Sequence, residues 1–171
     1  MPSPTPNVCT MTAPQRAAID TNVVVTLVGR RDHWHPNAQA LREALQGSAA
    51  DLVYLDPVLN EAVSVLARRA HEQGRPSQFP DLLDALTHQV PPGVITWVSA
   101  ETQRLYDQVI ALVRNTSGTL NFHDALIALG CRELGIEIIA SFDRDFDQVT
   151  WLTRVETPAA VMSAFKQATA D

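Results

Sequence analysis

Short apolar runs, each followed by a segment with helical spacing, recur along the chain and restrict it to one fold class. The clearest is 136–141, Ile-Glu-Ile-Ile-Ala-Ser, preceded by a nearly all-apolar stretch ending at Gly135. Such a run reads as a buried strand, and the glycine as the stop of the helix before it. A first strand is expected over 16–20, ending at Asp20. The continuation 22–28 is apolar and β-branched, and periodicity does not decide between more strand and a tightly packed helix. A helix is expected over 35–45, where Ala38, Leu41, Ala44 and Leu45 recur at helical spacing before Gly47. A strand over 52–55 leads into a helix that runs to about residue 72, with Asp56 as N-cap and Pro57 at the first helical position. Further on, helices are expected over 80–89, 100–114 (capped by Ser99), 122–134 (capped by Asn121) and 158–168, with strands over 94–98 and 151–155. Strands alternating with helices predict an α/β fold in three layers, a central, mostly parallel sheet flanked by helices.

A chain of 171 residues suits one such domain. Residues 1–15, rich in Pro and Thr, are expected to be a disordered tail, with the folded domain over 16–171. The tail has neither a basic n-region nor an apolar h-region, so it does not read as a signal peptide. Cys9 falls in it and Cys131 in an apolar helical run, which excludes a disulfide framework and fits a reducing cytoplasm. No apolar run reaches membrane-spanning length. The net charge of −6 argues against a nucleic-acid partner on bulk electrostatics, because phosphate contacts normally call for excess Lys and Arg. That objection lapses if acidic residues gather around divalent cations, since the charge a phosphate meets is then locally positive.

The placement of the acidic residues gives the sharper signal. In open α/β sheets, ligands collect at the carboxyl ends of the strands. Asp20 stands at the end of the first strand and Asp143 just past the 138–141 strand, so both belong to one rim. Glu61 lies in the first turns of the helix after the second strand, with Val58 and Val65 as its helical neighbours. Asp124 has Ile127, Ala128 and Cys131 at i+3, i+4 and i+7, on the apolar side of its helix. Each has a plain structural explanation: turn residue, N-cap, or first-turn carboxylate favoured by the helix dipole. Four carboxylates converging on one rim are costly without a hard cation, and magnesium or manganese suits an all-oxygen ligand set.

Ala-Ile-Asp-Thr-Asn-Val-Val-Val, Leu-Asn-Glu-Ala-Val-Ser-Val-Leu, Asn-Phe-His-Asp-Ala-Leu-Ile-Ala-Leu and Ile-Ile-Ala-Ser-Phe-Asp-Arg-Asp-Phe resemble, in order and spacing, the successive motifs of PIN-domain nucleases. The likeness covers roughly 17–155, and no single motif is specific where four in order are. The resemblance implies a PIN-like fold and a Mg²⁺- or Mn²⁺-dependent endoribonuclease, closest to the VapC-type toxins of toxin–antitoxin modules. It implies Asp20, Glu61, Asp124 and Asp143 as catalytic acids. Asp20, Asp124 and Asp143 would hold metal, and Asp145 would share it. Asn22 and Ser141 match positions that orient substrate or ligands, and Thr21 completes the Asp-Thr-Asn opening. An RNA substrate, a small antitoxin and a homodimer are the partners implied. The chain is longer than typical toxins of this class, through its tail and the 68–92 region.

Other residues carry weaker signals. His33, Trp34 and His35 read as helix-entry residues near substrate, and His123 as a polar residue at a helix start. Arg30, Arg31, Arg68, Arg69 and Arg75 are candidates for phosphate contacts, Arg144 for a partner of the neighbouring acids, and Asp147 for the surface. The alternatives are a non-toxin nuclease of RNA maturation and a catalytically idle RNA- or protein-binding module. A phosphotransferase fits poorly, because the chain's one lysine, Lys166, lies near the C-terminus.

Overall fold

The computed structural model describes residues 15–167, so all but the last residue of the expected tail lies outside the described residues. The elements run β1 (Arg16–Ile19), α1 (Thr21–Val28), α2 (His35–Gly47), β2 (Asp51–Leu55), α3 (Asp56–Glu72), α4 (Phe79–Gln89), β3 (Ile95–Thr96), α5 (Thr102–Asn115), α6 (Phe122–Glu133), β4 (Ile138–Ala140), β5 (Thr153–Val155) and α7 (Pro158–Gln167). The strands form one sheet in the order β3-β2-β1-β4-β5. Every pairing is parallel, with Ala17 beside Leu52 on one side and Ile138 on the other. This is the three-layer α/β architecture that the alternating pattern predicts, the sheet being flanked by helices.

The ambiguous segment after Asp20 is a helix. Asp20 caps it, its side chain accepting from the Thr21 N–H and its carbonyl from Val23 and Val24. Every residue of α1 except Asn22 is buried, and burial on all sides tolerates the β-branched run that intrinsic propensity would disfavour. Ile19, Leu41, Leu45, Leu55, Ile127, Ile139 and Phe146 form the fully buried centre. A second cluster of Leu105, Val109, Ala125, Leu126 and Leu129 seats α5 on α6. At Gly130 an added Cβ would stand 3.3 Å from Val98 Cγ2 and 3.4 Å from Leu55 Cδ1, so the glycine lets α6 approach the β2 side closely.

Two local expectations change. Leu55, not Asp56, is the N-cap of α3. Asp56 is instead buried, and its Oδ1 accepts from the Val98 and Ser99 N–H groups at 2.6 and 3.1 Å. That carboxylate draws the chain out of the sheet, which shortens the expected 94–98 strand to Ile95–Thr96. α5 then starts at Thr102 after a 3₁₀ turn, Ser99–Glu101, with no side-chain cap at either start. Among the described residues, no helix is long and apolar enough to cross a membrane.

Asp56 therefore stitches α3 to the β3–α5 connection. Replacing it with Ala leaves the buried Val98 N–H and the part-buried Ser99 N–H without their acceptor, and the expected loss is about 2–3 kcal/mol of unfolding free energy. Urea denaturation checks this, and Asp56→Asn, which keeps an acceptor oxygen, is expected to lose less.

Candidate functional site

The chain builds outward from β1 to β2 and β3 on one side, then returns to place β4 and β5 on the other. The order reverses between β1 and β4, and a crevice opens at the carboxyl ends of strands that diverge in this way. Asp20 follows β1 and Ser141 follows β4. The Asp20 N–H donates to the Ala140 carbonyl at 3.0 Å, so the two strand ends are in register.

Asp20 is 2% exposed and its carboxylate is fully engaged. Oδ1 accepts from the Thr21 N–H at 2.7 Å, and Oδ2 accepts from Asn22 Nδ2 at 2.5 Å and from the Ser141 hydroxyl at 2.6 Å. Ser141 Oγ in turn accepts from Asn22 Nδ2 at 3.1 Å and from the Asp143 N–H at 2.9 Å. One hydroxyl thus uses its donor and both acceptor sites. Asn22 Oδ1 accepts from the Phe142 N–H at 3.1 Å, so both ends of its amide are used. The two residues expected to orient ligands, Asn22 and Ser141, are brought against the first acid.

The other acids approach from α3, α6 and the loop after β4. The Thr21 hydroxyl donates to Glu61 Oε2 at 2.8 Å. Asp124 forms a capping box with Asn121: its Oδ2 accepts from the Asn121 N–H, and Asn121 Oδ1 accepts from the Asp124 N–H. The helix-capping role anticipated for Asp124 is therefore real, and it coexists with electrostatic contact with the other acids. Burial, and then repulsion by Asp124 and Glu61, push Asp20 up to about 7 against the opposing hydrogen bonds from Ser141 and Thr21. Burial, then repulsion by Glu61 and Asp143, push Asp124 up to about 6, with the Asn121 amide and His123 opposing. Asp20, Glu61 and Asp124 thus act on one another, and Asp143 joins the group through Asp124. Asp145 is tied to this group through Asp143: its N–H donates to Asp143 Oδ1 at 2.9 Å, and its own Oδ1 accepts from Gln148 at 3.4 Å.

Sequence reasoning missed two supports. The Thr21 hydroxyl ties α1 to Glu61, a link that only the meeting of α1 and α3 reveals. Arg154 on β5 is a nearly buried guanidinium that donates to the Ser141 carbonyl and pairs with Asp147 and Glu156. It, and not Arg144, anchors the segment that carries Asp143, and Asp147 is exposed but ion-paired. A lone Arg in Thr-Arg-Val at the end of the chain carried no visible signal. His35 keeps its expected place at a helix entry, its Nδ1 donating to the Thr26 carbonyl at 2.9 Å. A cleft of roughly 680 Å³ beside α1, α3 and α4 is lined by Arg30, Arg31, Arg69 and Arg75. Arg69 there pairs with Asp32 at 3.1 Å, while Arg68 points away and pairs with Glu72.

Among the described residues, no three His, Cys, Asp or Glu groups stand close enough to form a ready ligand set. The chemistry of the donors nonetheless suits a hard divalent cation. They are carboxylate and hydroxyl oxygens, and the carboxylates of Asp124, Glu61 and Asp143 each act unfavourably on the charge of a neighbouring acid. Like charges of this kind stand apart unless a cation lies between them.

A family model described as PIN domain matches residues 17–152. Two solved structures are similar in fold. One is VapC20 of Mycobacterium tuberculosis, described as a toxin that cleaves the sarcin-ricin loop; it is 20% identical with a TM-score of 0.57, over 78% of this chain and 95% of that one. The other is VapBC2 of Rickettsia felis bound to a DNA fragment from its promoter, 15% identical with a TM-score of 0.58, over 82% of this chain and 98% of that one. In sequence, no curated protein matches the chain.

The raised acids give the protein a pH signature. Between an ordinary aspartate value near 3.8 and about 7, Asp20 binds more proton in the folded than in the unfolded chain, and Asp124 does so up to about 6. Stability falls with rising pH wherever the native state holds the extra proton. In metal-free buffer the contribution of this pair is thus full below about pH 4 and is lost as pH climbs through 6 to 7. Denaturation midpoints across pH 4.5–8 are expected to show this decline, and Asp124→Asn is expected to flatten it.

Proposed function

The chain belongs to the PIN domain family, and from that premise we propose that it is a Mg²⁺- or Mn²⁺-dependent endoribonuclease, the toxin of a two-protein toxin–antitoxin pair. The observation that carries the reading is the rim itself: four carboxylates coupled through Asp124, two of them buried, at the switch point of a parallel sheet. A structural role for such a group would call for a paired cation side chain, and among the described residues neither Asp20 nor Asp124 takes part in any of the ion pairs formed. The toxin assignment is supported by the two structural neighbours, a toxin and a toxin–antitoxin complex. An RNA substrate, a small antitoxin partner, a homodimeric state and a cytoplasmic location belong to the same proposal.

In this reading Asp20, Asp124 and Asp143 would hold the cation, with Asp145 as a further oxygen ligand. A cation held there would supply Lewis acidity toward the phosphodiester and would lower the pKa of a bound water. Asp20 presents a carboxylate whose orientation three donors fix, so its geometry is set before any ligand arrives. Thr21 holds one oxygen of Glu61 and leaves the other to take a proton from the attacking water. Asn22 and Ser141 keep the β1 and β4 ends at fixed separation. The arginine-lined cleft offers guanidinium groups to the backbone of a bound strand, which offsets the net negative charge locally.

Cleavage of a labelled structured RNA in Mn²⁺ or Mg²⁺ tests the reading. Asp20→Asn and Asp124→Asn are each expected to lower the rate by roughly two orders of magnitude or more, with folding intact. Metal-independent cutting, or cutting untouched by both substitutions, defeats it. Ser141→Ala is expected to leave the fold in place and to raise the Mn²⁺ concentration for half-maximal activity about 10- to 100-fold, because it removes a group that orients Asp20. Mn²⁺ is also expected to raise the melting temperature more at pH 7.5 than at pH 5.5, since protons compete for the same carboxylates.

A further inference from the structure

Two buried donors go unmatched beside one pocket. Arg42 Nε on α2 and Gln89 Nε2 at the end of α4 are buried atoms, and neither has a hydrogen-bond partner among the described residues. Buried polar atoms are nearly always satisfied, so two unmatched donors on one cavity point to a group that accepts from them. That cavity, of roughly 350 Å³, lies where the end of α1 meets α2 and α4, and Leu27, Arg30, Gln39, Arg42 and Gln89 line it. His35, Gln39 and Arg42 stand at i, i+4 and i+7, on one face of α2. The bond from His35 to the Thr26 carbonyl fixes that face against α1. Arg30 comes from the turn after α1, and it also lines the arginine cleft and an outer cavity of roughly 540 Å³.

The charge here is one-sided. Among the described residues, neither Arg30 nor Arg42 takes part in an ion pair. Asp84 is the one carboxylate among the described residues lining the two cavities, and it lines the outer one. A water molecule accepts from two donors but cancels no charge. A carboxylate is satisfied in its own plane by the fork of a single guanidinium. Donors arriving from the end of α1, from α2 and from α4 instead suit a tetrahedral anion. Two guanidinium charges match a phosphate that carries about two negative charges on its terminal oxygens. We propose that the pocket between α1, α2 and α4 binds dianionic phosphate, either the free ion or the terminal phosphate of an RNA; the second source rests on the nuclease reading above. Arg42 and Gln89 donate to it from within, and Arg30, which is exposed, meets it from the solvent side.

The test titrates the full chain with sodium phosphate in EDTA buffer, so that no cation at the acidic rim takes part, and calorimetry reads the affinity. Saturable binding is expected, with sodium chloride at the same ionic strength giving none, and phosphate is expected to raise the melting temperature. Arg42→Ala is expected to weaken binding roughly tenfold or more, and Arg42→Lys less, because the charge stays while the fork is lost. Gln89→Leu is expected to weaken it about fivefold. Without phosphate the same variant is expected to melt no lower than the wild type, since it removes a buried donor that has no acceptor. Arg30→Ala is expected to weaken binding several-fold, at an exposed side chain where folding is not at stake. A short single-stranded RNA phosphorylated at either end, compared with the same RNA bearing hydroxyl ends, separates the sources. Tighter binding of the phosphorylated RNA, competed by inorganic phosphate, assigns the site to a chain end; phosphate binding with no preference between the RNAs assigns it to the free ion.

Absence of saturable phosphate binding overturns the proposal. So does binding that Arg42→Ala and Gln89→Leu both leave unchanged. An acidic peptide, polyglutamate, that binds tighter than phosphate and is lost in Arg42→Ala marks the pocket as a contact for protein carboxylates, and also overturns it. In each of these cases metal-dependent cleavage that Asp20→Asn abolishes leaves the nuclease reading standing. Phosphate binding without any cleavage keeps the pocket and removes only the RNA as its source.

Discussion

The hydrogen bond from Ser141 to Asp20 joins the ends of two neighbouring strands, and the geometry of the rim depends on it. Ser141 Oγ gives its proton to Asp20 and receives from Asn22 and from the Asp143 N–H. A single buried oxygen therefore sets the position of one acid directly and of another through the backbone. Arg154 holds the carbonyl of the same serine from the far side, so the residue is gripped at both its side chain and its main chain. Charge-assisted bonds in a dry site are stronger than their counterparts in water. The cost is a carboxylate buried at a position where burial and its acidic neighbours oppose its charge.

That cost is what gives the rim its chemical character. A fold selected for stability alone would place an amide or an apolar group where Asp20 stands, since a buried charge without a cation partner is destabilising. Asp124 serves as part of a capping box, a role an uncharged residue can share, yet it also faces the other acids. Local helix chemistry and the proposed catalytic chemistry use the same side chain. This overlap explains why a first-turn acid is so readily taken for a simple cap.

The overall charge and the local charge tell different stories. The chain carries −6, yet four arginines line a cleft beside α1, α3 and α4. A proposed cation between the acids completes the reversal of sign. A negatively charged protein can meet a polyanion in this way because electrostatics at contact distance outweighs a screened net charge.

Much of this was legible in the chain itself. The alternation of apolar runs and helical spacing determined the parallel α/β sheet, because period and punctuation are local properties. The positions of Asp20 and Asp143 at strand ends determined their shared rim, since parallel strands carry all their carboxyl ends to one edge. Other features belong to tertiary structure alone. Segment 22–28 became a helix because burial on every side and the Asp20 cap overrode β-branched propensity. The third strand shrank to two residues because Asp56, distant in sequence, captured the Val98 and Ser99 amides. Thr21 reached Glu61, Arg154 reached Ser141 and Trp34 settled on Phe142 only once helices and strands far apart in sequence were packed together. Contacts of that kind depend on the angle and separation of whole elements, which no local pattern of residues encodes.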